Sequence, residues 1–242
     1  MPIHRLIAIL LMTTSAAGAQ PGDPYDIRRG GMVREVADMA AETLPYTGKA
    51  RFDERVMQAI GRVPRHEFVP EALRSQAYAN RPLPIGHGQT ISQPYIVALM
   101  TDLAGVREDS VVLEIGTGSG YQAAVLAELA RHVYSIEIVE ALGRAAERRL
   151  RRLGYDNVTV RIGNGYGGWP EQAPFDAILV TAAPEQLPPA LLEQLKPGGK
   201  LIVPVGAQNA PQSLQVISRD AAGNVTARDV LPVGFVPLQG DD

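Results

Sequence analysis

From residue 110 onward the chain alternates short apolar runs with amphipathic stretches. Runs of strand length occupy residues 111–115, 133–136, 158–162, 177–180 and 201–205, the last after the turn Pro197-Gly198-Gly199. Between them, residues 121–130, 142–153 and 189–195 repeat their apolar positions at helical spacing. This order predicts parallel strands joined by helical crossovers, because such crossovers cover both faces of a sheet. The last two runs, 214–217 and 225–231, are separated only by 220–224 and predict a hairpin, hence an antiparallel edge. Toward the N-terminus, Met32, Val36, Met39 and Ala40, and then Val56, Ile60 and Val63, recur at helical spacing. Pro64, Pro70, Pro82, Pro84 and Pro94, with Gly86 and Gly88, break the stretch from 64 to 94 into turns and extended pieces.

The pattern divides the chain into a polar linker (20–31), a helical and loop-rich part (32–109) and an α/β core with a C-terminal hairpin (110–238). Residues 1–19 read differently. His4 and Arg5 precede an apolar run over 6–12, and Ala17-Gly18-Ala19 has the form of a leader peptidase site, so a signal peptide and export to the periplasm are expected. That run is too short to span a bilayer, and the mature chain is expected to stay out of the membrane. Within 142–153, Leu142, Ala145, Ala146, Leu150 and Leu153 share one face. Arg144, Arg148, Arg149, Arg151 and Arg152 fall largely outside it and read as a solvated surface. A net charge of -3 over 242 residues gives no electrostatic reason to expect nucleic acid. The absence of cysteine excludes disulfides, thiolate metal sites and a cysteine nucleophile.

Candidate chemistry collects where predicted strands end. Glu114-Ile115-Gly116-Thr117-Gly118-Ser119-Gly120 succeeds one strand and opens a helix, so its glycines let backbone N–H groups approach a nucleotide-type ligand. The spacing is Gly-x-Gly-x-Gly, with Tyr121 where a dinucleotide fingerprint wants glycine, so a nicotinamide cofactor is the weaker reading. Glu137 ends the next strand, placed to accept from both hydroxyls of a ribose. Gly163-Asn164-Gly165 and Thr181-Ala182-Ala183-Pro184 end two more strands at the same sheet edge. The segment 84–94, with His87, Gln89, Thr90, Ile91 and Ser92, reads either as a peptide-binding loop or as the lead into a helix with Ser92 as N-cap and Pro94 just inside. His4, His66, His87 and His132 show no metal-ligand spacing, so no metal is expected. Ser119 lacks the first glycine of a nucleophile elbow.

Taken together, Arg65-His66-Glu67-Phe68-Val69-Pro70, the 86–94 loop, the run from Val112 through Tyr121, Phe175-Asp176-Ala177-Ile178 and Phe235-Val236-Pro237-Leu238 closely resemble the protein-L-isoaspartate O-methyltransferase family over about residues 32–238. The resemblance implies a Rossmann-like methyltransferase fold. It places S-adenosyl-L-methionine at Glu114, Gly116, Thr117, Gly118 and Gly120, with Glu137 on the ribose and Asn164 and Gly165 at the adenine. It makes Ser92 the active-site residue and puts His87, Gln89, Thr90, Ile91, Thr181, Ala182 and Ala183 against the substrate. Where the family has Gly-Asp-Gly, this chain has Gly163-Asn164-Gly165; an amide oxygen can still accept from the adenine amino group.

The implied reaction is methylation of the free carboxylate of L-isoaspartyl residues, with D-aspartyl as a second acceptor, in damaged proteins or peptides. The ester then closes to a succinimide, whose hydrolysis restores some normal linkage. A carboxylate with a reference pKa of about 4 is already ionised at neutral pH, so Ser92 orients rather than deprotonates. A monomer is expected, and the family's usual cytoplasmic setting stands against the leader's export. Two other readings stay open: a non-catalytic cofactor- or peptide-binding module, and a nicotinamide-dependent oxidoreductase.

Overall fold

The computed structural model describes residues 24–207 and 209–240; the leader read in 1–19 lies outside the described residues, as does the start of the 20–31 segment. Helix α1 (Asp26–Glu42) takes up the rest of that segment, so the linker expectation is corrected. Asp26 stands in the first turn, where a carboxylate suits the helix dipole, and pairs with Arg29 at 3.1 Å. Met32, Val36 and Ala40 are buried and fix the helix by packing, which outweighs the poor propensity of Gly30 and Gly31. Helices α2 (Leu44–Thr47) and α3 (Glu54–Arg62) come next, the latter capped by Asp53, which accepts from the Arg55 N–H at 2.8 Å.

Two 3-10 turns (Arg65–Phe68 and Glu71–Gln76) lead to a hairpin of β1 (Leu83–Gly86) and β2 (Gln89–Ile91) and then to α4 (Pro94–Ala104). His87 and Gly88 turn the hairpin with φ of 52° and 72°, the sign a type I′ hairpin turn requires at both positions. Gln93, not Ser92, is the N-cap of α4, with Pro94 at the start of the helix. Ser92 is left in the extended exit of the hairpin.

The core strands are β3 (Val111–Ile115), β4 (His132–Glu137), β5 (Val158–Ile162), β6 (Phe175–Val180), β7 (Leu195–Val205), β8 (Gln212–Arg219) and β9 (Val225–Val233). Helices α5 (Tyr121–Ala127), α6 (Glu140–Arg152) and α7 (Pro189–Glu193) connect them. The sheet runs in the order β5-β4-β3-β6-β7-β8-β9, with β8 and β9 antiparallel as expected. Two boundaries move. Helix α5 ends short of residue 130, and Pro197-Gly198-Gly199 lies inside β7, where a register shift against β6 absorbs it as an irregularity.

Strand alternation sorts the core. Val112, Val133, Ala177, Leu179 and Ile202 pack with α1, α3, α4 and α5, whereas Leu113, Ile115, Ile136, Ile178 and Val203 pack with α7 on the other face. Each Val, Leu or Ile among them, fully buried, contributes about 1.5–3 kcal/mol. Asp176 stitches the start of β6 to its neighbours, accepting from the Val111 N–H at 2.7 Å and pairing with Lys196 at 2.8 Å.

The Arg65 motif joins the N-terminal part to the core. Buried Arg65 donates to Ala77 O at 2.9 Å and lies over the Tyr121 ring at 4.7 Å, and Glu67 pairs with Arg152 at 2.7 Å. Burial lowers the Arg65 guanidinium to about 10, still charged at neutral pH. The arginines of α6 are therefore not all a solvated surface. Arg144 and Arg151 make exposed pairs within the helix, but Arg152 crosses to Glu67 and Arg149 reaches Ser119 O at 2.8 Å. No helix among the described residues is long and apolar enough to cross a membrane.

Candidate active site

The sheet order reverses at β3, whose neighbours are β4 and β6, and at such a point the loops leaving the strand ends part to form a crevice. The glycine loop leaves β3 there, with Gly116 at φ 98° and Gly118 at φ 53°. A Cβ on Gly116 would stand 2.6 Å from Thr181 Oγ1. That hydroxyl donates to Gly116 O at 2.6 Å and so fastens the exit of β6 to the loop. Glu137 accepts from the Gly118 N–H at 2.7 Å and the Val139 N–H at 2.9 Å, leaving further lone pairs on both oxygens.

Glu114 is fully buried on the same sheet face. Its Oε2 accepts from Ser135 Oγ, which lies 2.6 Å from Thr117 Oγ1, and its Oε1 has no partner. Burial pushes the Glu114 carboxyl up to about 8, against the pull of the Ser135 hydrogen bond and with the help of the Glu137 charge. The crevice is narrow, about 60 Å³, and no Lys, Arg or His lines it. The Glu137 carboxylate, with no counter-cation in the lining, and the orphaned buried oxygen of Glu114 fit a cationic nucleoside.

A second cavity of about 470 Å³ opens beyond β2 and α4. Met39, Tyr95, Ile96, Leu231, Val233 and Phe235 form much of its wall, and no charged side chain lines it. Thr43 Oγ1 and Tyr95 OH, 2.6 Å apart, tie α4 to the end of α1. The two cavities share Thr90, Ser92, Thr181 and Val236.

The predicted site residues divide by position. Glu114, Gly116, Thr117, Gly118, Glu137 and Gly165 line the first cavity, joined by Gln89, Ile91 and Ala182, which were expected against the substrate. Four residues lie outside both linings. His87 is exposed at the hairpin tip, because the turn carries it outward. Gly120 caps α5, and a Cβ there would stand 3.2 Å from Leu150. Asn164 accepts the Tyr166 N–H on its Oδ1 at 2.9 Å and so caps a 3-10 turn. Ala183 is buried and bonds through its backbone, with its N–H to Val236 O at 2.8 Å and its O to the Leu238 N–H at 2.9 Å.

Sequence reasoning missed the C-terminal strap. Val236, Pro237, Leu238 and Gln239 line the first cavity, held by Ala183 and by Gln212, whose side chain meets the Phe235 N–H at 2.6 Å. It also missed Met39, Thr43 and Tyr95. The Phe235-Val236-Pro237-Leu238 motif was visible in the chain, but it carries no reactive side chain that would have marked it as part of a site.

A mainly parallel sheet with an antiparallel edge, a glycine loop leaving its central strand and an acidic crevice beside it define a class I S-adenosylmethionine-dependent methyltransferase. Within that class, the chain belongs to the protein-L-isoaspartate(D-aspartate) O-methyltransferase family, whose model matches residues 43–242. It is 58% identical over 236 residues to a protein-L-isoaspartate O-methyltransferase 2 of Syntrophobacter fumaroxidans, covering 97% of this chain and 96% of that one. It is 60% identical over 209 residues to another of that name from a Polaromonas species, covering 86% and 99%. Among solved structures, a protein-L-isoaspartate O-methyltransferase superposes with a TM-score of 0.75 at 28% identity, over 88% of this chain and 66% of that one. The fold is also that of a Plasmodium falciparum protein described as a putative protein-L-isoaspartate O-methyltransferase in complex with S-adenosyl-L-homocysteine, with a TM-score of 0.72 at 24% identity over 90% and 100%. Family membership removes the nicotinamide reading.

Proposed function

We propose that this protein transfers a methyl group from S-adenosyl-L-methionine to the free carboxylate of L-isoaspartyl residues in damaged proteins, the first step of their repair. The observation that carries this reading is the passage between the two cavities. Thr90 and Ser92 face it, and among the described residues neither hydroxyl has a hydrogen-bond partner in the folded chain. A carboxylate entering from the uncharged cavity meets these two donors at the edge of the acidic crevice.

When bound, the cofactor supplies a methyl group on a positively charged sulfur. The residues of the chain do the rest. Glu137 would take the ribose hydroxyls on its remaining lone pairs, the Gly116 to Gly118 backbone would permit close approach, and Glu114, which keeps its proton at neutral pH, would offer a hydrogen-bonding oxygen rather than a charge. Ser92, with Thr90, holds the acceptor carboxylate in line. No general base is required, since the acceptor is ionised and transfer converts opposite charges into neutral products. A pocket without cations leaves the carboxylate weakly solvated and reactive, so alignment and exclusion of water supply much of the rate.

The test is labelled methyl transfer to an isoaspartyl peptide and to its aspartyl twin. Base-labile label is expected on the isoaspartyl peptide alone, and Ser92→Ala is expected to cut it by about 100-fold, the scale of a lost positioning contact. Cofactor binding with no label on either peptide would leave a non-catalytic binding module.

A further inference from the structure

Ser92 stands between two fixed points of the backbone. Ahead of it, Ile91 is paired with Leu83 across the hairpin of β1 and β2. After it, α4 begins with Gln93 as N-cap and Pro94 in the first turn. A helix start leaves backbone N–H groups with no partner inside the helix. The Gln93 side chain makes no cap hydrogen bond, and Pro94 has no N–H to place. The Tyr95 N–H is met from elsewhere in the chain, where Asn80 Oδ1 accepts it at 3.0 Å.

Asn80 is held in its turn. It lies in the stretch that buried Arg65 fixes, by donating from Nε to Ala77 O at 2.9 Å and from Nη2 to Arg81 O at 3.4 Å. Asn80 Nδ2 donates to Met39 Sδ at 3.8 Å, and Gln93 Nε2 donates to the same sulfur at 3.5 Å. The thioether accepts and cannot donate, so it turns the NH2 group of Asn80 toward itself and leaves Oδ1 for Tyr95. Both fixed points of Ser92 therefore come from residues 80–83, with Leu83 holding Ile91 and Asn80 holding Tyr95. Only Ser92, Gln93 and Pro94 lie between them. Asn80 itself lines neither cavity.

We propose, resting on the transfer reaction above, that Asn80 is a positioning residue for methyl transfer, which sets the Ser92 hydroxyl between the two cavities by fixing the first turn of α4. Without Asn80 Oδ1 the Tyr95 N–H loses its partner, the first turn loosens, and Ser92 is anchored on the hairpin side alone. Transfer in line tolerates little of this, since a misplacement of about 1 Å can cost about 100-fold in rate. The buried Arg65 thereby gains a part in the reaction, because it supports the turn from which Asn80 reaches α4.

The experiment measures kcat on an isoaspartyl peptide, donor affinity by calorimetric titration and Tm for the native protein, Asn80→Ala and Asn80→Asp. Asn80→Ala is expected to lower kcat by about tenfold, less than deletion of the Ser92 hydroxyl, with donor affinity unchanged. Asn80→Asp keeps an oxygen for the Tyr95 N–H and is expected to hold kcat within about twofold of native. In a Ser92→Ala background, Asn80→Ala is expected to cost less than about twofold more, because no hydroxyl is left to place. A lowered Tm with kcat intact makes Asn80 a helix cap and nothing more, and overturns the proposal while leaving the reaction standing. So does an Asp variant no better than the Ala variant, or a loss of the same size with and without the Ser92 hydroxyl. If Asn80→Ala does not fold, Asn80→Ser, whose shorter side chain also withdraws the acceptor, is read in the same way. Transfer to no peptide by the native protein counts against the reaction itself.

Discussion

The two cavities that meet at Ser92 are built on opposite principles. The acidic crevice stands on the ends of β3, β4 and β6, holds two buried carboxyl groups, and is organised by backbone N–H groups donating to Glu137 and by the Thr181 hydroxyl donating to Gly116 O. The substrate groove is assembled from a helical appendage, a hairpin exit and a C-terminal strap, and its lining carries no charge. The difference matches the chemistry on either side. A cationic donor is stabilised by fixed negative charge, whereas a cation beside the acceptor would hold its carboxylate in the ground state and make it a poorer nucleophile. Charge is therefore concentrated on the donor side and withheld from the acceptor side.

Removing that charge is the strongest way to break the contrast. Glu137→Ala deletes the partner of two backbone N–H groups and, under the proposed reaction, of the ribose, and should weaken cofactor binding by about 100-fold, the scale of hydrogen bonds to a charged group. Calorimetric titration measures it, and a parallel loss of peptide affinity would show that the two cavities are not independent. A smaller effect is expected at Arg149, which lines neither cavity itself but holds the O of Ser119, a lining residue of the first, and so the back of the glycine loop. Arg149→Met should raise the KM for the donor by about tenfold and leave that for the peptide alone; equal changes in both would reduce Arg149 to general packing.

The smallest effect concerns Glu114 and stability. Its carboxyl titrates near 4.5 in a free chain and near 8 in the fold, so between these values the native state holds a proton that the unfolded state has released. That contribution is fully present below pH 4.5 and is lost as pH rises through 8. Glu114→Gln should therefore raise Tm relative to the native protein at pH 8.5 more than at pH 5, by about 2–4 °C for each kcal/mol of difference. A difference that does not vary with pH would mean that Glu114 is already ionised in the free protein.

The strands and crossovers of the core were legible because their signals are local. An apolar run such as 111–115 must be buried on both faces, and its length and punctuation say so without tertiary information. The glycine loop and Glu137 were legible for the same reason, since backbone freedom and a carboxylate at a strand end are written in consecutive residues. The structure moved features whose partners are distant in sequence or set by local backbone geometry. Ser92 looked like a cap until Gln93 took that position, Arg149 looked solvated until Ser119 lay beneath it, and Asn164 looked available until Tyr166 claimed its oxygen. The sequence by itself determined a mainly parallel α/β core, its ligand-bearing edge and the family. Only the tertiary structure decided which hydroxyls stand free between the cavities and which apolar side chains wall the groove. Met39, Tyr95 and Phe235 carry no mark of a common site and meet only because the sheet edge, α4 and the C-terminal strap converge there.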